Sequence, residues 1–225
     1  MGEKEVARLV VIAAVVAIIV GSLGYYFLIK KGVVEESHPP PGERTFELPR
    51  WENATRWNFN LFSEIENKQY TMIVRFVGES VIGEKVCYQL NYSFDPPIGN
   101  LVTSSMAWLE ESTLAPIKIQ YFQGDNFLTE STIVYTFSEN MWPLRVGKEF
   151  TLIENRVTEG TAQLYLVKVE AIENVTTAAG TFECLKIIYY RDDVTTRTEW
   201  YSPQIGWYVK TDDNQFKRLI ELQSY

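Results

Sequence analysis

Residues 86–94 read Val-Cys-Tyr-Gln-Leu-Asn-Tyr-Ser-Phe. Val86, Tyr88, Leu90, Tyr92 and Phe94 fall on one side of an extended chain, with Cys87, Gln89, Asn91 and Ser93 on the other. This period of two marks a strand with one face in a core, because successive side chains point to opposite faces. It returns at Ile133, Tyr135 and Phe137, and at Ile117 and Ile119, which alternate with Lys118 and Gln120. Asp95-Pro96-Pro97, Gly124-Asp125-Asn126, Asp192-Asp193 and Asp212-Asp213-Asn214 read as turns between such runs. No segment carries a long helical stripe; one short helix has room near Ser138 to Trp142.

Several strands are apolar on both faces. Tyr70, Met72, Val74 and Phe76 line one side of their run, and Ile73 and Val77 share the other with Thr71 and Arg75. Leu164 and Leu166 stand opposite Tyr165, Val167 and Val169. Two partly apolar faces suit a sheet curled around a core or a greasy cavity, and equally a plain sandwich. The expected fold is all-β: a large curved antiparallel sheet or open half-barrel of about ten strands, preceded by one transmembrane helix.

That helix is expected at Leu9 to Ile29, 21 residues without a charge. At 1.5 Å per residue it spans about 30 Å, the hydrocarbon thickness of a bilayer. It is too long for the apolar region of a cleaved signal, and no small-residue cleavage site follows it. No cysteine follows it either, which removes a lipobox. The organisation expected is an anchor over 1–31, a proline-rich linker over 32–44 and an extracytoplasmic domain over 45–225. In the linker, Pro39-Pro40-Pro41-Gly42 makes an extended spacer, and the single histidine, His38, reads as a solvated residue within it.

Lys4 and Arg8 precede the span and Lys30 and Lys31 follow it, so the positive-inside count is tied. The sequons at Asn53, Asn91 and Asn174 break the tie towards an exported C-terminal domain and are candidate N-glycosylation sites. Ala13, Ala17 and Gly21 share one face of the expected helix, a spacing through which two copies could pair in the membrane.

Composition excludes much chemistry. A net charge of −8 argues against nucleic acid as a partner. With one histidine, placed in the linker, the domain lacks a Ser–His arrangement, and no glycine-rich phosphate loop or zincin helix occurs. No catalytic set, cofactor or metal site is assigned. The pairs Asp192-Asp193 and Asp212-Asp213 read as turn residues rather than as a calcium loop. Cys87 and Cys184, both in expected strands, admit two readings: a disulfide worth about 4–5 kcal/mol, or two small buried thiols.

The C-terminal third carries three recurrent segments: Pro143-Leu144-Arg145-Val146-Gly147-Lys148-Glu149-Phe150, Ala179-Gly180-Thr181-Phe182-Glu183-Cys184-Leu185-Lys186-Ile187, and Trp200-Tyr201-Ser202-Pro203-Gln204-Ile205-Gly206-Trp207-Tyr208-Val209-Lys210. In this order, over roughly residues 140 to 212, the chain resembles exported prokaryotic β proteins that are distantly similar to the lipoprotein-localisation and lipoprotein-carrier half-barrels. Ser202-Pro203 pre-sets a turn, and Trp200 and Trp207 flank it as a cross-strand staple. The resemblance implies a second role for such aromatics, bordering an apolar ligand cavity, and makes Trp200, Trp207, Tyr70 and Phe76 candidate ligand contacts.

The function expected is therefore a membrane-anchored, non-enzymatic extracytoplasmic domain that binds a lipid or lipidated protein. An envelope scaffold or receptor subunit acting through protein contacts stands beside it, and an extracytoplasmic hydrolase stands third.

Overall fold

The computed structural model describes residues 44–52 and 54–225. The expected anchor at 9–29 with its Ala13, Ala17 and Gly21 face, the linker as far as residue 43 with His38, and the sequon asparagine Asn53 lie outside them. Among the described residues no helix is long and apolar enough to cross a membrane.

Twelve strands follow one another: β1 (Arg56–Ser63), β2 (Lys68–Ile82), β3 (Lys85–Ile98), β4 (Val102–Glu110), β5 (Pro116–Gln123), β6 (Asn126–Phe137), β7 (Glu149–Arg156), β8 (Thr161–Thr177), β9 (Gly180–Arg191), β10 (Val194–Ser202), β11 (Trp207–Asp213) and β12 (Arg218–Ser224). Each pairs antiparallel with its sequence neighbours. β1 then pairs with β12, with Asn60 opposite Glu221 and Leu61 opposite Ile220, and the sheet closes into a barrel. The open half-barrel of about ten strands is corrected on both counts. Closure joins residues more than 150 positions apart, and a local period of two cannot report such a pairing.

Alternation sets the inner face. Trp57, Phe59 and Leu61 of β1, Tyr70, Met72, Val74 and Phe76 of β2, and Tyr88 and Leu90 of β3 are buried, as their spacing requires. Val86, read on the same face as Tyr88, is exposed, and Cys87 is buried instead. Asp95-Pro96-Pro97 is not a turn. The chain runs through it inside β3, where register is lost between Ser93 and Ile98, and turns at Gly99–Leu101. Prolines lack the N–H that a ladder needs, so the sheet accommodates them as an irregularity. Asp212 and Asp213 likewise belong to β11, with the turn after them. The segment near Ser138 to Trp142 has no helix. It opens the connection from β6 to β7, which is held by Phe46 and Leu144 exchanging backbone hydrogen bonds of 2.8 and 2.9 Å.

Lys148, from the first recurrent segment, fixes that connection. Its buried ammonium donates to the carbonyls of Asn140, Met141 and Pro143 at 2.6, 2.8 and 3.0 Å. Three donors meet three acceptors, which is how an isolated lysine tolerates burial. Burial still lowers its pKa.

Candidate functional site: an internal cavity with an apolar body and a charged end

A cavity of about 340 Å³ lies inside the barrel. Two core clusters contribute to its wall: Phe59, Met72 and Leu109 from one, Met141 and Leu152 from the other. Its volume is in the range of small-molecule sites, and its lining is mainly apolar with a few convergent polar groups.

The polar groups come from β6, β7, β9, β10 and β11. On β7 the inward positions run Phe150, Leu152, Glu154, Arg156; on β10 they run Arg197, Glu199, Tyr201. Charges thus occupy positions that alternation reserves for the interior. Arg156 Nε meets Glu154 Oε1 at 2.6 Å, and Arg197 Nε stands 3.2 Å from Glu199 Oε1. The Arg197 guanidinium lies 4.0 Å from the centre of the Tyr189 ring, a cation–π contact between strand neighbours in register. Asp213 is opposite Arg197 on one side and Arg218 on the other. Tyr135 donates to Glu154 at 3.5 Å, a long contact.

The electrostatics follow from depth. Burial opposes the charge on Arg197, yet the fields of Glu199, Tyr189 and Tyr208 outweigh it and raise its pKa. Burial first, then Glu199, raises the phenols of Tyr189 and Tyr208. Glu199 is 7% exposed, and its Oε2 has no hydrogen-bond partner. Arg197 Nε, despite its ion-pair distance, also lacks one in hydrogen-bond geometry. The cavity therefore ends in a cluster of paired charges.

Of the residues that sequence suggested as ligand contacts, Trp207 lines the cavity. Its ring stacks on Trp57, 5.5 Å between centres, and meets Trp51 edge-on. Tyr70 and Phe76 are buried in the neighbouring core; the Tyr70 hydroxyl donates to Glu66 at 2.5 Å, and Phe76 packs on Trp51 and Tyr88. Trp200 is on the other face of its strand, where its indole donates to Glu173 at 2.5 Å and Lys210 sits over its ring. The expected Trp200–Trp207 staple does not form. Trp200 pairs with Lys210 and Trp207 with Ser202, with a bulge between Trp200 and Tyr201 that separates the two indoles.

Cys87 and Cys184 are free and buried. They sit on β3 and β9, six strands apart in either direction around the closed order, too far round the wall for the close approach that a disulfide requires. Asn174 is exposed on β8 and Asn91 half-buried on β3. Among the described residues no group of three or more His, Cys, Asp and Glu is placed to hold a metal ion.

Sequence reasoning missed Glu154, Arg156, Arg197 and Glu199. The signal was available as parity: Glu154 sits two residues and Arg156 four from Leu152, and Glu199 two residues and Arg197 four from Tyr201. A charge that keeps step with the apolar set is a buried charge.

The family model DUF3108-like matches residues 153–225, which take in the second and third of the recurrent segments and leave out the first. Two solved structures are similar. One is a Bacteroides fragilis protein described as exported, with a YmcC-like fold: 16% identity, 80% of this chain and 99% of that one covered, TM-score 0.39. The other is a Parabacteroides distasonis protein described as a lipoprotein: 15% identity, 81% and 99% covered, TM-score 0.43. No curated protein matches the chain.

Proposed function

We propose that this chain is a membrane-tethered, extracytoplasmic and non-enzymatic barrel that binds a ligand with an apolar body in its interior. The observation that carries the reading is the cavity of about 340 Å³ between two apolar core clusters. A closed barrel holds such a space without exposing an apolar groove to water. The uncharged segment at 9–29 supports the tether, and the three sequons support export. The carboxylates at the charged end stand beside arginines, as Glu154–Arg156 and Glu199–Arg197 do, an arrangement of charge pairs rather than of an acid set beside a base.

The test is lipid retention by the full chain, purified in amphipol and extracted for mass spectrometry. Ala115 lines the cavity, and Ala115→Phe fills part of it. The wild-type chain is expected to retain several-fold more lipid than the A115F variant. Equal retention by both would remove the reading, because lipid around the anchor is common to the two.

A second reading rests on a different observation. The six connections at one end of the barrel each carry a large exposed apolar side chain at or beside the turn: Ile65, Leu101, Phe127, Val157, Val194 and Phe216. Such a rim suits an envelope protein partner. Photo-crosslinking from Phe127 and Val194 in intact cells should then recover one constant protein.

A further inference from the structure

We propose that the rim built by the β1–β2, β3–β4, β5–β6, β7–β8, β9–β10 and β11–β12 connections docks a protein segment in which basic side chains alternate with apolar ones. The inference rests on the second reading above, that this rim meets a protein, and adds the chemistry of that protein.

Strands that pair in sequence order around a closed antiparallel barrel put these six connections at one end. Every one of them exposes a large apolar side chain within two residues of its turn, Ile65 and Val194 most of all at 73% and 65%. At the opposite end only the β2–β3 connection does so, with Val81 and Val86. Single exposed apolar side chains are ordinary, but one on every turn of the same end makes a surface.

The tips are also fixed to one another. Glu64 N donates to the Lys217 carbonyl at 2.8 Å, Lys68 Nζ to Asn100 Oδ1 at 3.3 Å, Gly124 N to Thr103 Oγ1 at 2.8 Å and Thr132 N to Thr158 Oγ1 at 2.9 Å. Gln215 completes the set, its backbone N–H on the Thr196 carbonyl at 3.1 Å and its side-chain amide on Gln163 Oε1 at 3.3 Å. Each bond ties one hairpin to another, and together they join all six. The platform is ordered before a partner arrives, so docking on it costs little conformational freedom.

Charge selects the partner. The connections carry six exposed carboxylates, Glu64, Glu66, Asp125, Glu159, Asp192 and Asp193, against one basic residue, Lys217. Among the described residues none of the six is in an ion pair. The basic side chains at the adjoining strand ends, Lys68, Arg156, Arg191 and Arg218, are half-buried. A second copy would press carboxylates on carboxylates, and an anionic bilayer would repel them. Bilayer anchoring also draws on tryptophan and tyrosine, and the connections hold neither. A polypeptide that alternates lysine or arginine with apolar side chains answers both features of the rim at once.

The experiment holds the full chain in phosphatidylcholine nanodiscs, with a photo-reactive benzophenone in place of Val194 and, as control, in place of the exposed Val134 on the outer wall. Three heptapeptides are offered: lysine alternating with leucine, glutamate with leucine, and lysine with serine. The lysine–leucine probe should crosslink at 194 about tenfold more than either other probe, and about tenfold more than it does at 134. Asp192 and Asp193 have φ of +51° and +61°, which asparagine tolerates, so Asp192→Asn with Asp193→Asn keeps the turn and removes two carboxylates. Capture should then fall about fivefold. Phe216→Ser, an exposed change on the adjoining tip, should lower it about threefold. Equal capture of the glutamate–leucine probe, or no fall in the asparagine variant, would overturn the basic partner while leaving the rim as a protein-docking surface. Co-sedimentation of the nanodiscs with sucrose-loaded phosphatidylglycerol vesicles, lost on Phe216→Ser, would give the rim to a bilayer and overturn the protein partner altogether. Capture at 194 no greater than at 134, or equal capture of the lysine–serine probe, would overturn both the partner's chemistry and the reading it rests on.

Discussion

The Trp51 indole donates its N–H to the carbonyl of Gly206 at 2.9 Å, a bond between residues 155 positions apart. It ties the segment before β1 to the turn between β10 and β11. Trp51 also packs on Trp57, Phe76, Tyr88 and Trp207, so one side chain holds the chain's entry, that turn and the cavity wall together. Gly206 has φ of +66°, and a Cβ there would meet Pro49 at 3.3 Å and Trp51 at 3.4 Å, so the turn needs glycine for both its conformation and this approach. Trp51→Phe should cost about 1–3 kcal/mol, from the unpaired carbonyl and the smaller ring. Urea unfolding followed by far-ultraviolet circular dichroism measures it, and an unchanged midpoint would refute the tie.

Lys148 makes a sharper case. Lys148→Met keeps the length of the side chain but leaves the carbonyls of Asn140, Met141 and Pro143 without their donor. The expected cost is about 3 kcal/mol, because losing one partner of a buried charge-assisted bond costs more than the bond contributes. Met141 lines the cavity, so lipid retention should fall with it. Denaturation midpoint and retention are to be measured on the same preparation, and loss of neither would show the connection to be held by other contacts.

Tyrosines set the alkaline limit. Burial raises the phenols of Tyr189, Tyr201 and Tyr208 above the ordinary value of 10.0. A raised folded pKa means that the folded state keeps its proton while the unfolded state releases it. Their contribution is complete below pH 10 and is lost as pH rises beyond it, at about 1.4 kcal/mol per pH unit for each tyrosine. Absorbance at 295 nm and circular dichroism should therefore change in one step above pH 10. Gradual ionisation of all tyrosines without unfolding would contradict the burial.

The thiols test the wall itself. Burial pushes Cys184 up to about 12 and also raises Cys87, so neither supplies much thiolate at pH 8. Ellman's reagent should find no reactive thiol in the native chain and two after unfolding, with an intact mass indifferent to reductant. Failure to find two after unfolding would mean that the cysteines are bonded.

Sequence spoke clearly where the physics is local. The alternation at Tyr88–Leu90 and Ile133–Tyr135–Phe137 placed strands and their inner faces, because solvent on one side and core on the other act on every second residue. It was silent on closure, since the pairing of Phe59 with Leu222 has no local signature. It misread Asp95-Pro96-Pro97 because turn chemistry and a strand irregularity use the same residues. The charged end was legible in part. Glu154 and Arg156 follow the parity of Phe150 and Leu152, but their convergence with Arg197 and Glu199 comes from the order of strands, which composition and period do not encode.

Closure has a consequence for how the molecule meets others. In the described residues every strand has a hydrogen-bonded neighbour on both sides, so idle amides and carbonyls are confined to ends that overhang a neighbour, as 78–82 of β2 overhang β1 and 171–177 of β8 overhang β7. A partner cannot join along the full length of a strand, and copies cannot stack edge to edge along the barrel wall while the seam between Asn60 and Glu221 holds. Recruitment has to proceed through side chains on the outer surface and the rims. Conditions that unzip this seam should turn a self-contained cylinder into an adhesive ribbon.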